Sequence, residues 1–230
     1  GEAKIRRMKQ FNYYYIQNNY VNITFKDWLN LNINKDDIII NSSVQDCSDR
    51  LTNIPIGVQH DFLKYFNTHK SINNFINNSD INTKLCLSSF SRNTDRNRRE
   101  KHCINRNTIS STVDAYTFVT KQRFSCDDYF NSIGKYKFVI SPEGNGIDTH
   151  RHWETFYSKG IPIIEDNDEM RKKLEGLPVL WTKDYTELTE EYLEEKYKEI
   201  LETKYDFSYL FLSFYGDKLK DEIYQRSKFW

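Results

Sequence analysis

The stretch that decides how this 230-residue chain is read runs from Ser141 to Asp166, SPEGNGIDTHRHWETFYSKGIPIIED. Three of the chain's eight glycines fall inside it, at Gly144, Gly146 and Gly160. It follows YKFVI, with which Ser141 makes a run of strand length, and closes on a second such run, GIPIIE. Between the two, Thr149, Trp153, Phe156 and Gly160 recur at helical spacing, so a helix is expected to begin near Asp148 and pack on a sheet. Strand, glycine loop, helix and strand make the repeating unit of a parallel α/β sheet. Glycines in such a loop let the backbone approach an anion, and the helix N-terminus offers free N–H groups and the positive end of its dipole. The loop matches neither common glycine fingerprint of nucleotide binding. No Lys-Ser or Lys-Thr pair follows Gly146, and the next glycine is Gly160.

The alternation continues on both sides. KLCLSSF and DAYTFVT read as strands, and SCDDYFNSIGKY as a short helix with Ser125 or Asp127 at its start and Gly134 past its end. DEMRKKLEG reads as a helix, LPVLWT as a strand, and TEEYLEEKYKEILETKY as a long helix. The long helix has an apolar stripe of Leu193, Tyr197, Ile200 and Leu201, with Glu190 and Glu191 in the first turn where the dipole favours acids. Upstream, YYYI, Asp37 to Asn41 and LTNIPIGVQ read as strands, TFKDWLNLN as a short helix, and 60–78 as broken helical turns. The expected fold class is α/β, a doubly wound parallel sheet. NNSDINT (77–83) has no apolar periodicity and serves as the linker. It separates a short N-terminal domain, 1–79, from a Rossmann-like domain, 80–210, followed by a C-terminal helix, 211–230.

Composition narrows the function. Lys+Arg and Asp+Glu are both 33, so no whole-protein field draws the chain to nucleic acid or anionic membrane. Mean hydropathy is -0.78, and no apolar run is long enough to span a bilayer. No apolar segment follows the N-terminal charges, so no signal peptide is expected and the reading is cytoplasmic. Cysteines 47, 86, 103 and 126 are widely spaced with no CxxC pair, which favours reduced thiols and gives no metal site. The basic segment Ser89 to His102 lacks interleaved aromatics, which argues against a nucleic-acid surface. It is either a solvated helix or part of an anion site.

His150, Arg151, Glu154 and Ser158 share a second face of the helix at 149–160. A cation in the first turn opposes the helix dipole, so Arg151 calls for an anion beside it. Glu154, one turn on, offers a carboxylate to two neighbouring ribose hydroxyls. Diphosphate plus ribose describes a nucleoside-diphosphate sugar. The alternative is an i,i+3 surface ion pair between Arg151 and Glu154, worth a few tenths of a kcal/mol.

The run Pro142-x-Gly144-Asn145-Gly146-x-Asp148-x-His150-Arg151-x-Trp153-Glu154, with the Gly-Ile-Pro strand after it, resembles the donor-binding segment of exostosin-like glycosyltransferases. The likeness is greatest to the short forms of large DNA viruses and some bacteria. Ser141 to Ile164 carries it, and it extends more loosely from Ile54 through LPVLWT to the last long helix. The resemblance implies a GT-B fold of two Rossmann-like halves, with the donor held by the C-terminal half and the sugar passed to a glycan or other hydroxyl acceptor. It implies a donor site of Glu143, Gly144, Asn145, Gly146, Asp148, Thr149, His150, Arg151 and Glu154, faced by Ser89, Arg92 and Asn93, with Arg151 also acting in catalysis. A GT-B enzyme neutralises the leaving diphosphate with helix dipoles and cations, so no metal and no cofactor are expected. The acceptor's proton needs a carboxylate or imidazole. Asp46, Asp49 and His60 lie near predicted strand ends, with Asp46 and His60 the candidates, and each reads more readily as an ordinary loop residue. The chain departs from the family in the shortness of the region before the linker. A non-catalytic Rossmann-like nucleotide or sugar-phosphate module is the competing reading.

Overall fold

The computed structural model describes residues 21–31, 33, 56–59, 80–95, 105–211 and 214. The expected strands YYYI and 37–41, the helical turns of 60–78, the base candidates Asp46 and His60, and nearly all of the C-terminal helix lie outside them. Seven strands and six α-helices follow in chain order among the described residues. They are β1 (Ile23–Thr24), α1 (Phe25–Asn30), β2 (Lys84–Ser88), α2 (Arg106–Asp114), β3 (Val119–Lys121), α3 (Cys126–Ile133) and β4 (Tyr136–Ile140). Then come α4 (His150–Tyr157), β5 (Ile161–Glu165), α5 (Asp168–Lys173), β6 (Leu180–Thr182), α6 (Glu190–Glu202) and β7 (Lys204–Tyr205).

Strands β2 to β6 form one five-stranded sheet in the order β3-β2-β4-β5-β6, and every pairing is parallel. A parallel sheet flanked by helices is covered on both faces, so its inner strands read as continuous apolar runs. That is why YKFVI and GIPII stand out: Phe138, Val139, Ile140, Ile161, Ile163 and Ile164 are fully buried. Each such side chain contributes roughly 1.5–3 kcal/mol of burial. Helix α4 packs on β5, with Trp153 and Phe156 buried and in edge contact at 6.0 Å. Gly160 ends it against the sheet: a Cβ there would lie 3.0 Å from Thr155 Cγ2 and 3.3 Å from the Tyr136 carbonyl. The stripe expected on α6 is confirmed at Leu193, Tyr197 and Ile200, which are buried.

The described parts of the N-terminal segment join this same core. Strand β1 pairs antiparallel with β7 (Ile23 opposite Tyr205), and Trp28 of α1 stacks on Phe207 at 4.1 Å. The buried Lys159 ammonium donates to the carbonyls of Trp28 (2.6 Å) and Leu31 (2.9 Å) and sits 3.8 Å from the Trp28 ring centre. Val58 is buried as well. No helix among the described residues is long and apolar enough to cross a membrane.

The strand order fixes where a ligand belongs. The chain enters the sheet at β2, runs to β3 on one side, then returns to β4 on the other. The loops after β2 and β4 therefore part in opposite directions and leave a crevice at the carboxyl ends of these two strands, where open α/β sheets bind their ligands.

Candidate functional site

The two loops at this switch point are residues 89–95 and 141–149, so the fold brings Ser89, Arg92 and Asn93 to the same edge as Glu143 to Thr149. Helix α4 starts from the second loop. Its N-terminus differs from those of the other helices: Thr24, Asn105, Ser125, Asn167 and Thr189 each cap a helix with a side-chain oxygen, but Thr149 makes no such bond. The Thr149 hydroxyl lies 3.4 Å from His152 Nδ1 instead. No side-chain oxygen caps the first-turn amides of α4, the end of a helix that favours an anion, although His152 N donates to the Thr149 carbonyl at 3.1 Å.

Arg151 stands at this terminus. Its Nη1 donates to the Ser89 carbonyl (2.6 Å) and to the Tyr129 hydroxyl (3.3 Å), and its guanidinium lies 5.1 Å from the Tyr129 ring centre. Among the described residues, Nε has no partner although it is buried, and Nη2 takes part in no hydrogen bond. Nε and Nη2 are the edge with which arginine grips phosphate or carboxylate in two parallel bonds. The fold therefore anchors Arg151 by one nitrogen and leaves its bidentate edge unspent.

Glu154 lies one turn on and is 2% exposed. The alternative, a surface ion pair, is not what forms: Arg151 turns to Ser89, and Glu154 Oε2 accepts from the Tyr129 hydroxyl at 3.3 Å. Oε1 is buried and makes no hydrogen bond of ordinary geometry among the described residues, although the Gln59 backbone amide lies close enough to the carboxyl to favour its charged form. Burial raises the pKa of this carboxyl, opposed by Arg151, His150, the Gln59 backbone and Tyr129. An unsatisfied buried acceptor costs about 1–3 kcal/mol, which a ligand hydroxyl placed there would recover.

The rest of the loop is held by the protein. His152 is fully buried. Its Nε2 faces the Ile147 carbonyl (3.1 Å), which only accepts, so Nε2 carries the proton and Nδ1 accepts from the Ser141 hydroxyl (2.7 Å). Burial holds the imidazole neutral by lowering its pKa to about 4. Asp148 has both oxygens engaged: Oδ1 accepts from the Trp153 indole (2.7 Å), and Oδ2 from Ile56 N (3.0 Å) and Lys173 Nζ (2.7 Å). His150 Nδ1 donates to the Gly57 carbonyl at 2.7 Å. Residues 56–59 are thereby fastened over the start of α4. Asn145 and Gly146 are exposed at the loop tip, and Gly144 N donates to the Gly146 carbonyl at 2.9 Å. Arg92 forms an exposed ion pair with Asp114 at 2.7 Å, and Asn93 is exposed beside it.

Four residues at this edge escape the sequence reading. Arg106 opens α2 and is buried against both loops. Tyr129 of α3 supports Arg151 and Glu154. Glu165 ends β5, accepts from Glu143 N at 3.1 Å, and is pushed up to about 7 by burial and the neighbouring Glu143 carboxyl. Tyr185, after β6, is buried in the left-handed region (φ 68). A carboxylate at the C-terminal end of a strand is a recognisable signal, and IPIIED carries it at Glu165. No group of three or more His, Cys, Asp or Glu side chains suited to a metal occurs among the described residues.

The His152 geometry sets a pH dependence. With an ordinary value of 6.5 unfolded and about 4 folded, its contribution is complete above pH 6.5 and is lost as pH falls through 4. Between pH 7.5 and 4, wild type is expected to lose about 3 kcal/mol more unfolding free energy than His152→Gln. Urea titrations of both proteins at the two pH values check this, and equal losses would remove His152 from the account.

The site stands on its own geometry: no family model and no curated protein matches the chain.

Proposed function

We propose that the chain is a glycosyltransferase that takes a sugar from a nucleoside-diphosphate donor bound at the β2/β4 switch point and passes it to a glycan or other hydroxyl acceptor. The observation that carries the reading is the unspent Nε/Nη2 edge of Arg151, one turn from the unpartnered Oε1 of Glu154, at the uncapped start of α4. A cationic fork suits a diphosphate, and a buried acceptor beside it suits a ribose hydroxyl. In transfer, the bond from the anomeric carbon to the diphosphate oxygen breaks and the diphosphate gains negative charge. Arg151 and the amides of α4 face that charge without reorganising, which makes them more valuable in the transition state than in the ground state. In this proposal a second, N-terminal half completes the GT-B arrangement, and no metal is required.

A thermal-shift panel of nucleotide sugars tests binding, since a ligand at 100 times its Kd raises native stability by about 2.7 kcal/mol. Transfer or hydrolysis of the stabilising donor identifies an enzyme; binding without turnover leaves a nucleotide-binding module. Glu154→Gln is expected to weaken UDP or GDP by about 1–3 kcal/mol, with the fold preserved by the matched shape. Calorimetry on the folded variant checks it, and wild-type affinity would take Glu154 out of the site.

A further inference from the structure

Arg106 is 6% exposed, and every nitrogen of its guanidinium is committed. Nε donates to the Glu143 carbonyl (2.7 Å) and Nη2 to the Pro142 carbonyl (2.9 Å), so one edge of the guanidinium grips two consecutive carbonyls of the loop after β4. Nη1 donates to the Ser91 carbonyl (2.9 Å) and to the Thr94 hydroxyl, both in the loop after β2. The Arg106 backbone N–H adds a bond to Asp95 at 2.8 Å. One side chain therefore spans the crevice and ties together the two loops that part at the switch point.

The same contact explains a glycine. A Cβ on Gly144 would lie 3.2 Å from Arg106 Nη2, tighter than an ordinary contact, and 3.7 Å from the Thr94 carbonyl. Gly144 is bare where the guanidinium and the first loop press against the second. The side-chain hydrogen bonds of the guanidinium go to carbonyls and a hydroxyl and to no carboxylate. Burial, and then repulsion from Arg151, lowers the Arg106 pKa to about 10, against the nearby Glu165 and Asp95 carboxyls, so Arg106 keeps its charge at neutral pH. Two arginines thus share one crevice, one with a bidentate edge that makes no hydrogen bond among the described residues and the other spent on three loop carbonyls and the Thr94 hydroxyl.

The geometry points to Arg106 as a positioning residue of the anion site, tying the β2 and β4 loops into one rigid cradle and placing a second fixed positive charge behind the one on Arg151. This rests on the nucleoside-diphosphate reading of the crevice. The cradle holds Ser89, the anchor of Arg151, in register with the start of α4. Inorganic pyrophosphate is the simplest probe, since it carries the charge without ribose, base or sugar.

Hydrogen exchange and calorimetry on the full chain separate the tie from the ligand. In Arg106→Gln, amides of both 89–95 and 141–149 are expected to exchange at least 10-fold faster while those of β2 and β4 keep their protection, and pyrophosphate is expected to bind at least 10-fold more weakly. Arg106→Lys keeps the charge but cannot reach four acceptors in two loops. It should loosen both loops and fall between Gln and wild type in pyrophosphate affinity, and it answers the same question should the Gln variant not fold. Unchanged exchange in either loop overturns the proposal. So does faster exchange throughout the sheet with unchanged pyrophosphate affinity, the signature of a purely structural arginine. Wild type that binds neither pyrophosphate nor UDP sinks the nucleotide reading instead, and the exchange pattern alone then decides whether the tie exists.

Discussion

Arg151→Ala is expected to lower kcat/KM for donor turnover by about 100-fold or more, the scale of losing an oxyanion donor. The side chain is fixed by the Ser89 carbonyl and the face of Tyr129, so its unbonded edge costs little to organise as the diphosphate leaves. Arg151→Lys keeps the charge and loses the planar fork, so it should fall between alanine and wild type. A purely supporting arginine gives a different result: both variants lose stability through the vacated Ser89 carbonyl, but the folded protein turns over at the wild-type rate. Steady-state kinetics with circular dichroism on the same preparations distinguishes them, and near-wild-type turnover by Arg151→Ala would overturn the site as drawn.

Asp148→Ala is expected to destabilise the fold by about 3–5 kcal/mol, the range for removing one partner of a buried ion pair. Lys173 and Asp148 are each 13% exposed in their side chains, so the lysine is left charged with little water to replace its partner. The Trp153 indole and the Ile56 amide lose their acceptor at the same time. Asp148→Asn keeps an acceptor and the shape, so its loss should be smaller. Were Asp148 a donor ligand, as the loop motif implies, alanine would weaken nucleotide binding and leave the urea midpoint nearly unchanged. Equilibrium unfolding of the two variants, with calorimetry on whichever remain folded, tells these apart.

The sheet was legible because its strands are buried on both faces and its helices carry local stop and start signals. IPII is apolar throughout and YKFVI is interrupted only by Lys137, which pairs with Glu194 of α6, and Ser125 and Gly134 bracket α3 as expected. Helix α2 was not legible. RNTISSTVD offers Ile109 and Val113 as its large apolar residues among β-branched and polar neighbours, a composition with weak helix propensity. What makes it a helix is the Asn105 cap and the burial of Ile109 and Val113, and the latter is a tertiary fact.

The site divides along the same line. Gly144, Arg151 and Glu154 lie within one loop and one turn, so spacing alone groups them. Arg106, Tyr129 and Glu165 arrive from other elements, and only the strand order brings them to one edge. The polar face expected of α4 was misjudged for the same reason. Glu154 and Ser158 are 2% and 1% exposed, with Tyr129 from another helix bonded to Glu154 and residues 56–59 fastened beside it. Arg92 follows a strand end as a phosphate ligand would, but it meets Asp114, at the far end of a helix that its own sequence does not announce.

The pairing of β1 with β7 bears on how the chain is made. Ile23 meets Tyr205, and Trp28 meets Phe207, so almost the whole sheet is translated between the two partners. At roughly 5–20 residues per second, that interval lasts on the order of tens of seconds on the ribosome. Throughout it Phe25 and Trp28, both destined for the core, lack their described partners Phe207 and Lys159, which have yet to be synthesised or set in place. Closure of so long a loop adds little to the equilibrium cost but slows the search for the contact. Strand β1 and helix α1 are thus the first of the described elements to leave the ribosome and among the last to gain their described partners, and the aromatic pair Phe25 and Trp28 waits on the emergence of Phe207.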